Sequence, residues 1–324
     1  ESGEEALKIL ADQGARVFLQ DLRMGGLDGM ELLQQARKVA PETPVLVMTA
    51  YSTSDIAMEA MRQGGFDFLR KPFQNDEVKG AVSRALASTT RDENRTHNLR
   101  QRMVGNTPVM RDLFEMVESV APTDSTVLVT GESGCGKELI ARAIHDGSAR
   151  NQQQFIAVNC SAFTEGLLES ELFGHVKGAF TGAVEERKGV FLSANGGTLF
   201  LDEVADMSLS TQVRILRALE DRRVIPVGGD REVETDVRII AATNKDLAEE
   251  VREGRFREDL FYRLNVIPMH LPPLRERKQD LPLLAGHFIR RHAEAMGKEV
   301  SGMTESAYEV LNQHDWPGNV RELE

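Results

Sequence analysis

The segment Gly131-Glu132-Ser133-Gly134-Cys135-Gly136-Lys137 restricts the fold more than any other stretch of this chain. An apolar run, Thr126–Thr130, leads into it, and a helical stretch, Gly136–Ser148, leads out. Glycines at this spacing let backbone N–H groups converge on phosphate oxygens, and the helix N-terminus adds the positive end of its dipole. Lys137 would reach the terminal phosphates. Strand, loop and helix in that order belong to a parallel α/β sheet with its ligand at the carboxyl edge. A glycine-rich turn that binds nothing is the competing reading, and the flanking strand and helix argue against it. Glu138 departs from the general P-loop, which carries a Mg²⁺-touching Ser or Thr at that position.

Other apolar runs fit the same sheet: Phe155–Val158, Thr198–Leu201, Val237–Ala242 and Val266–His270, with helical stretches at Glu165–Phe173 and Ser208–Asp221. Asp202 and Glu203 end the Thr198 run, where carboxylates face ligands. Asp202 would hold a Mg²⁺ shell and Glu203 would polarise an attacking water; an exposed acidic turn is the alternative. Asn244 ends the next run, where it would cap the helix Lys245–Glu253 whether or not it has a second task. Arg257 and Arg263 are six residues apart, close to two helical turns, which predicts a shared face. Guanidinium groups stabilise charge on a transferring phosphoryl group, unless both simply make surface ion pairs. From about Leu274 the chain reads as helices only: Asp280–Met296, Glu305–Gln313 and one starting near Gly318.

Between these phosphate-handling segments lies Gly178-Ala179-Phe180-Thr181-Gly182-Ala183. A glycine at each end lets the backbone reverse, and Phe180 is either tucked into a core or held ready for a partner. The ordered set closely resembles the AAA+ activators of sigma-54 RNA polymerase, the NtrC family, including their Gly-Glu-Ser-Gly-x-Gly-Lys-Glu form of the P-loop. That resemblance implies an α/β ATPase domain over 103–274 and a helical lid over 275–324. It implies ATP binding by Gly131 to Glu138, ATP hydrolysis with Mg²⁺, and remodelling of closed promoter complexes. The hexapeptide would grip sigma-54, with Glu169–Phe173 on the helix leading into it. Asn244 would be the γ-phosphate sensor, and Asn159 would restrain Glu203. Arg257 and Arg263 would act in trans on ATP of a neighbouring subunit. Within Trp316-Pro-Gly-Asn-Val-Arg-Glu-Leu323, Arg321 would reach back from the lid, with Trp316 in packing. The implied assembly is a dimer when inactive and a hexameric ring when active.

Residues 1–87 resemble a response-regulator receiver, a flavodoxin-like parallel sheet. Strands are expected at Arg16–Gln20, Pro44–Met48 and Asp67–Leu69, and helices at Glu4–Asp12, Gly29–Ala40, Ser54–Gln63 and Asp76–Ala87. Asp21 would be the phosphoacceptor, Thr49 the phosphate-sensing hydroxyl and Lys71 the pairing cation, with a sensor histidine kinase as donor. Gly25 stands where a proline is usual. No acidic pair ends an apolar strand before Asp21, and two strands are expected to be missing. A receiver cut in this way is expected to be weakly stable and unable to accept a phosphoryl group, although the whole protein would do so. Residues 88–102 read as a polar linker. A helix-turn-helix is expected beyond the lid, so promoter DNA is not assigned to this chain.

Net charge is −12, from 39 basic and 51 acidic residues. That argues against a nucleic-acid surface spread over the whole chain. No apolar run approaches the ~20 residues of a membrane span, and the start lacks the pattern of a signal peptide; a cytoplasmic protein is expected. Seven histidines show no metal-ligand spacing with Cys135 and Cys160. Cys135 lies at a helix N-terminus, where thiol pKa can fall and a redox switch competes with the simpler reading that a small residue fits a phosphate loop. Two other functions compete. Another AAA+ remodelling ATPase would lack the 178–183 hexapeptide, and a non-catalytic phosphorylation-responsive scaffold would need a dead ATPase site.

Overall fold

Short apolar runs bounded by polar residues become strands, and the amphipathic stretches between them cover the sheet. The computed structural model describes residues 3–22, 28–41, 43–49, 60, 63–73, 75–88, 103–300 and 302–324. Apart from its residues 60 and 63, the helix expected at 54–63 lies outside them, as do the turn at Gly25 and linker residues 89–102.

In the N-terminal unit the elements are α1 (Gly3–Gln13), β1 (Phe18–Asp21), α2 (Gly29–Val39), β2 (Val45–Thr49), β3 (Asp67–Arg70) and α3 (Asn75–Ser88). The three strands are parallel in the order β1-β2-β3, with Asp21 beside Met48 and Thr49 beside Arg70. Asp28 caps α2 by accepting from the Met30 N–H at 3.2 Å, and Arg37 and Lys38 complement its C-terminal dipole. Leu33, Ala36, Val45 and Val47 fill one side of the sheet, and Leu46, Leu69, Ala81 and Ala85 the other.

The second unit begins with α4 (Pro108–Val120), which sequence reading left unassigned. Its buried positions Met110, Leu113, Phe114, Val117 and Val120 follow a helical period, and Pro108 starts the helix where no N–H is needed. There follow β4 (Val127–Thr130), α5 (Lys137–Asp146), β5 (Phe155–Asn159), α6 (Glu165–Phe173), β6 (Gly174–His175), β7 (Arg187–Lys188), α7 (Val190–Ser193) and β8 (Thr198–Asp202). Next come α8 (Leu209–Asp221), β9 (Arg223–Val224), β10 (Val233–Glu234), β11 (Arg238–Thr243), α9 (Leu247–Arg252), α10 (Glu258–Leu264) and β12 (Ile267–His270). All five expected strands form one parallel sheet in the order β12-β4-β11-β8-β5. Hydrophobic clusters cover both faces, one around Leu172, Phe173, Phe191 and Leu199 and the other around Val117, Val129, Ile144 and Ile240. Arg238 is buried; its guanidinium donates to the Val120 and Ala121 carbonyls, capping the C-terminal end of α4.

The lid is α11 (Leu281–Met296), α12 (Glu305–Gln313) and α13 (Asn319–Leu323), around a core of Leu274, Leu281, Leu284, Phe288 and Trp316. Trp316 is buried and donates its indole N–H to the Leu311 carbonyl at 2.9 Å, as its packing role requires. Asp280 is fully buried and accepts from the N–H groups of Asn106 and Thr107 and from the Thr107 hydroxyl. The start of the ATPase unit is thereby tied to the first helix of the lid.

His145 on α5 is buried, with Nδ1 2.9 Å from the Thr198 hydroxyl on β8. Burial lowers its pKa from the ordinary 6.5. The unfolded chain therefore binds this proton more readily, so stability falls as pH drops below about 6.5 and is unaffected above it. Urea denaturation at a series of pH values should show this acid-side decline, and His145→Gln should flatten it.

Candidate functional site

Parallel register brings the polar strand ends to one edge. Thr130 pairs with Thr243, and Asn159 pairs with Asp202. The loop 131–136 leaves β4 at this edge, with positive φ at Gly131, Gly134 and Gly136. At Gly134 glycine is obligatory for a second reason: a Cβ would lie 2.3 Å from the Gly318 carbonyl oxygen of the lid.

Lys137 is buried, and its ammonium donates to the Gly131 carbonyl at 3.0 Å and to Glu203 Oε1 at 3.3 Å. The second oxygen of Glu203 accepts from the Asn244 N–H at 3.0 Å. Glu203 has φ 52°, a left-handed conformation uncommon for a residue with a side chain, and such strain concentrates where a side chain must be aimed. Asp202 accepts from the Glu203 N–H. Burial, then the neighbouring Glu203 charge, pushes the Asp202 carboxyl up, while Lys137 opposes this. Glu138 points to Arg142 at 2.8 Å instead of toward Lys137.

Some sequence expectations change. Asn244 does not cap the following helix: Asp246 does, accepting from the N–H groups of Ala248 and Glu249. Asn159 Oδ1 accepts from the Ser161 N–H and hydroxyl, capping a short turn, whereas Glu203 is held by Lys137 and Asn244. Arg257 and Arg263 do not share a helical face, because Arg257 is the extended residue before α10. Arg257 pairs with Asp259, and Arg263 donates to the Leu219 carbonyl. Cys135 precedes α5 and is buried, and burial raises its thiol pKa instead of lowering it.

Gln212, Arg275 and Asn319 were not singled out from sequence, whereas Glu132 and Arg321 were. Gln212, fully buried on α8, accepts from the Arg257 N–H and donates to the Met207 and Arg255 carbonyls. Glu132 pairs with Arg275 and accepts from Asn319, which holds its carboxyl down at about 2. Arg321 reaches Ser133 Oγ at 3.3 Å from the lid.

The hexapeptide crowns the hairpin β6–β7. Gly178 and Gly182 have positive φ, and the loop closes on itself through Gly178 N–H to Ala183 O and Ala183 N–H to Phe180 O. Phe180 keeps 39% of its surface exposed and sets its ring against His175, 5.0 Å between centroids. It is thus neither buried in a core nor free of the protein. Residue Val227 bonds on both sides of His175, through Val176 N–H to Val227 O and Val227 N–H to Gly174 O, so a second loop braces the hairpin. Glu169 on α6 pairs with Arg214 at 2.9 Å, and the Arg214 guanidinium lies over the Phe173 ring. In the N-terminal unit Lys71 donates to Asp21 Oδ2, and the Lys71 N–H donates to the Thr49 carbonyl at 2.8 Å, so Asp21, Thr49 and Lys71 meet at one edge.

Comparison with known proteins agrees with this architecture. Residues 103–270 match the sigma-54 interaction domain, residues 275–324 the AAA+ ATPase lid domain and residues 1–83 the response regulator receiver domain. The chain belongs to the sigma-54 interaction domain family, as a receiver-bearing activator whose central domain is an AAA+ ATPase. It is 49% identical over 326 residues to the transcriptional regulatory protein ZraR of Escherichia coli K12, covering 100% of this chain and 74% of that one. To the DNA-binding transcriptional regulator NtrC of Salmonella typhimurium LT2 it is 48% identical over 329 residues, covering 100% and 70%. Among solved structures, NtrX from Brucella abortus in complex with ADP aligns at TM-score 0.64 and 39% identity over 99% of this chain and 71% of that one. No helix among the described residues is long and apolar enough to cross a membrane.

Cys160 is buried too, and burial with the nearby acidic side chains pushes its thiol up to about 12. Iodoacetamide at neutral pH should therefore label the folded chain at less than about a tenth of the unfolded rate, read by mass spectrometry.

Proposed function

We propose that Gly131 to Glu138 bind the phosphates of ATP and that Glu203 activates the water that hydrolyses it. The observation that carries this reading is the single carboxylate of Glu203 spanning Lys137 Nζ and the Asn244 N–H. A γ-phosphate drawing on the Lys137 ammonium would loosen its hold on Glu203 Oε1 and leave that oxygen to take a proton from water. Asn244 follows the same carboxylate through its backbone, which supports the sensor assignment. Arg321 approaches the P-loop from the lid of its own subunit.

Magnesium fits this edge. Asp202 and Glu203 are crowded carboxylates; burial and then the Glu203 charge push Asp202 up, and a cation would relieve both. Mg²⁺ typically takes one or two carboxylates plus phosphate oxygens and water, so it needs no protein cage, and among the described residues no such cage exists. When bound it would neutralise phosphate charge, with Asp202 as its protein anchor. Glu138, at the position of the general motif's hydroxyl, turns to Arg142 and is not assigned to the cation.

Arg257 and Arg263 are half-buried on a segment pinned by Gln212, which supports their presentation to a neighbouring subunit in a hexameric ring. Phe180 and Thr181, raised on the braced hairpin, are assigned to sigma-54. Asp21 is assigned as phosphoacceptor for a sensor kinase, with Thr49 and Lys71 as its switch. The units proposed are a receiver over 1–87, a linker over 88–102, the ATPase domain over 103–274 and the lid over 275–324, in a cytoplasmic protein. DNA recognition is assigned to none of these residues.

Glu203→Ala should bind ATP yet lose turnover by about a hundredfold or more, measured as phosphate release. Near-normal release would remove Glu203 from the mechanism. Thr181→Ala should retain ATPase activity within about twofold and lose isomerisation of promoter-bound sigma-54; intact remodelling would sink the loop assignment.

A further inference from the structure

Three successive P-loop carbonyls are held by the segment that carries the lid. The Asn319 amide donates to the Ser133 carbonyl at 3.1 Å. The N–H groups of Val320 and Arg321 both donate to the Gly134 carbonyl, at 3.0 and 3.3 Å. Arg277, buried and without an ion pair to Asp280, whose oxygens serve Asn106 and Thr107, donates to the Cys135 carbonyl at 3.0 Å. In a trans peptide the carbonyl and the following N–H point in opposite directions. Holding the Ser133 and Cys135 carbonyls toward the lid therefore turns the Gly134 and Gly136 N–H groups away from it, to the side where a converging nest of donors binds anions.

Asn319 is the centre of this arrangement. It is fully buried, its Oδ1 accepts from the Leu274 N–H at 2.8 Å, and its Nδ2 serves both the Ser133 carbonyl and Glu132. Its φ of 54° is tolerated by asparagine far better than by most residues. We propose that Asn319 and Arg277 are positioning residues that set the orientation of the P-loop peptides, so that docking of the lid fixes the affinity for nucleotide phosphates. This rests on the reading of residues 131–138 as the nucleotide site. Such a role is separate from Arg321, whose side chain approaches the loop itself.

The test distinguishes orientation from simple stability. Asn319→Asp keeps the acceptor for Leu274 but loses the donor to Ser133 and faces Glu132 with a like charge. Its Kd for ADP by calorimetry should rise by about tenfold, and its melting temperature should fall. Adding Glu132→Gln supplies an amide to the new carboxylate and should return the melting temperature toward that of Glu132→Gln alone. The Kd should stay raised, because the Ser133 carbonyl still has no donor. Arg277→Lys, which retains one donor for Cys135, should weaken ADP binding less than Arg277→Met does. An unchanged Kd in Asn319→Asp, or a Kd that recovers together with the melting temperature in the double variant, overturns the proposal. If the unaltered chain fails to bind ADP, the nucleotide reading itself falls, and this inference with it.

Discussion

Glu203 touches two other motifs at once, and that double contact depends on strand register. Its own strand, β8, lies between β5 and β11, and β11 in turn lies beside the P-loop strand β4. A one-residue slip of β8 against its neighbours would turn Asp202 to the other face of the sheet and carry Glu203 away from Lys137 and Asn244. Close packing of Leu199, Phe200 and Leu201, all buried, opposes such a slip. The hydrophobic core thus sets the chemistry indirectly, by fixing where three polar strand ends stop. Left-handed Glu203 is tolerated because the residues around it are fully constrained.

The lid adds a second layer of constraint from far along the chain. Leu274 and Asn319 meet across 45 residues, and Asn319 and Ser133 across 186. Contacts of such separation are entropically costly to form and are expected to arise late, once the sheet is in place. Asp280 has the same character: buried, its carboxyl oxygens accept from two backbone N–H groups and one hydroxyl at the start of the domain. Removing one side of such an arrangement costs more than the bonds themselves contribute, because a buried polar group is left unsatisfied.

Much of this was legible in the sequence, because motif residues follow strands whose apolar composition is unmistakable. All eight expected strands exist, shifted by a residue or two at their ends. What escaped detection had a physical reason. The two-residue strands β6, β7, β9 and β10 are too short to show any periodicity. The helix α4 does carry a helical period, at Met110, Leu113, Phe114 and Val117. Gln212, Arg277 and Asn319 act through backbone groups distant in sequence, and no local pattern marks such a partner. Asn244 was read with a side-chain alternative as a cap, yet Asp246 has that task and the contact from Asn244 comes from its backbone. Cys135 was judged by its place near a helix terminus, where the dipole lowers a thiol pKa, but desolvation outweighs that effect in a site closed off by Arg277 and the lid.

His175 joins three elements: its Nδ1 lies 2.8 Å from the Ser170 hydroxyl, its backbone bridges to Val227, and its ring meets Phe180. A ring pair of this kind contributes roughly 0.5–1.5 kcal/mol, only one to three times thermal energy. The tip of the loop is therefore clasped lightly while its base is bolted. Phe180 can therefore leave His175 at little cost, while the base of the hairpin stays tied to both the helix below and the neighbouring loop. The loop opens easily at one end and is stiff at the other.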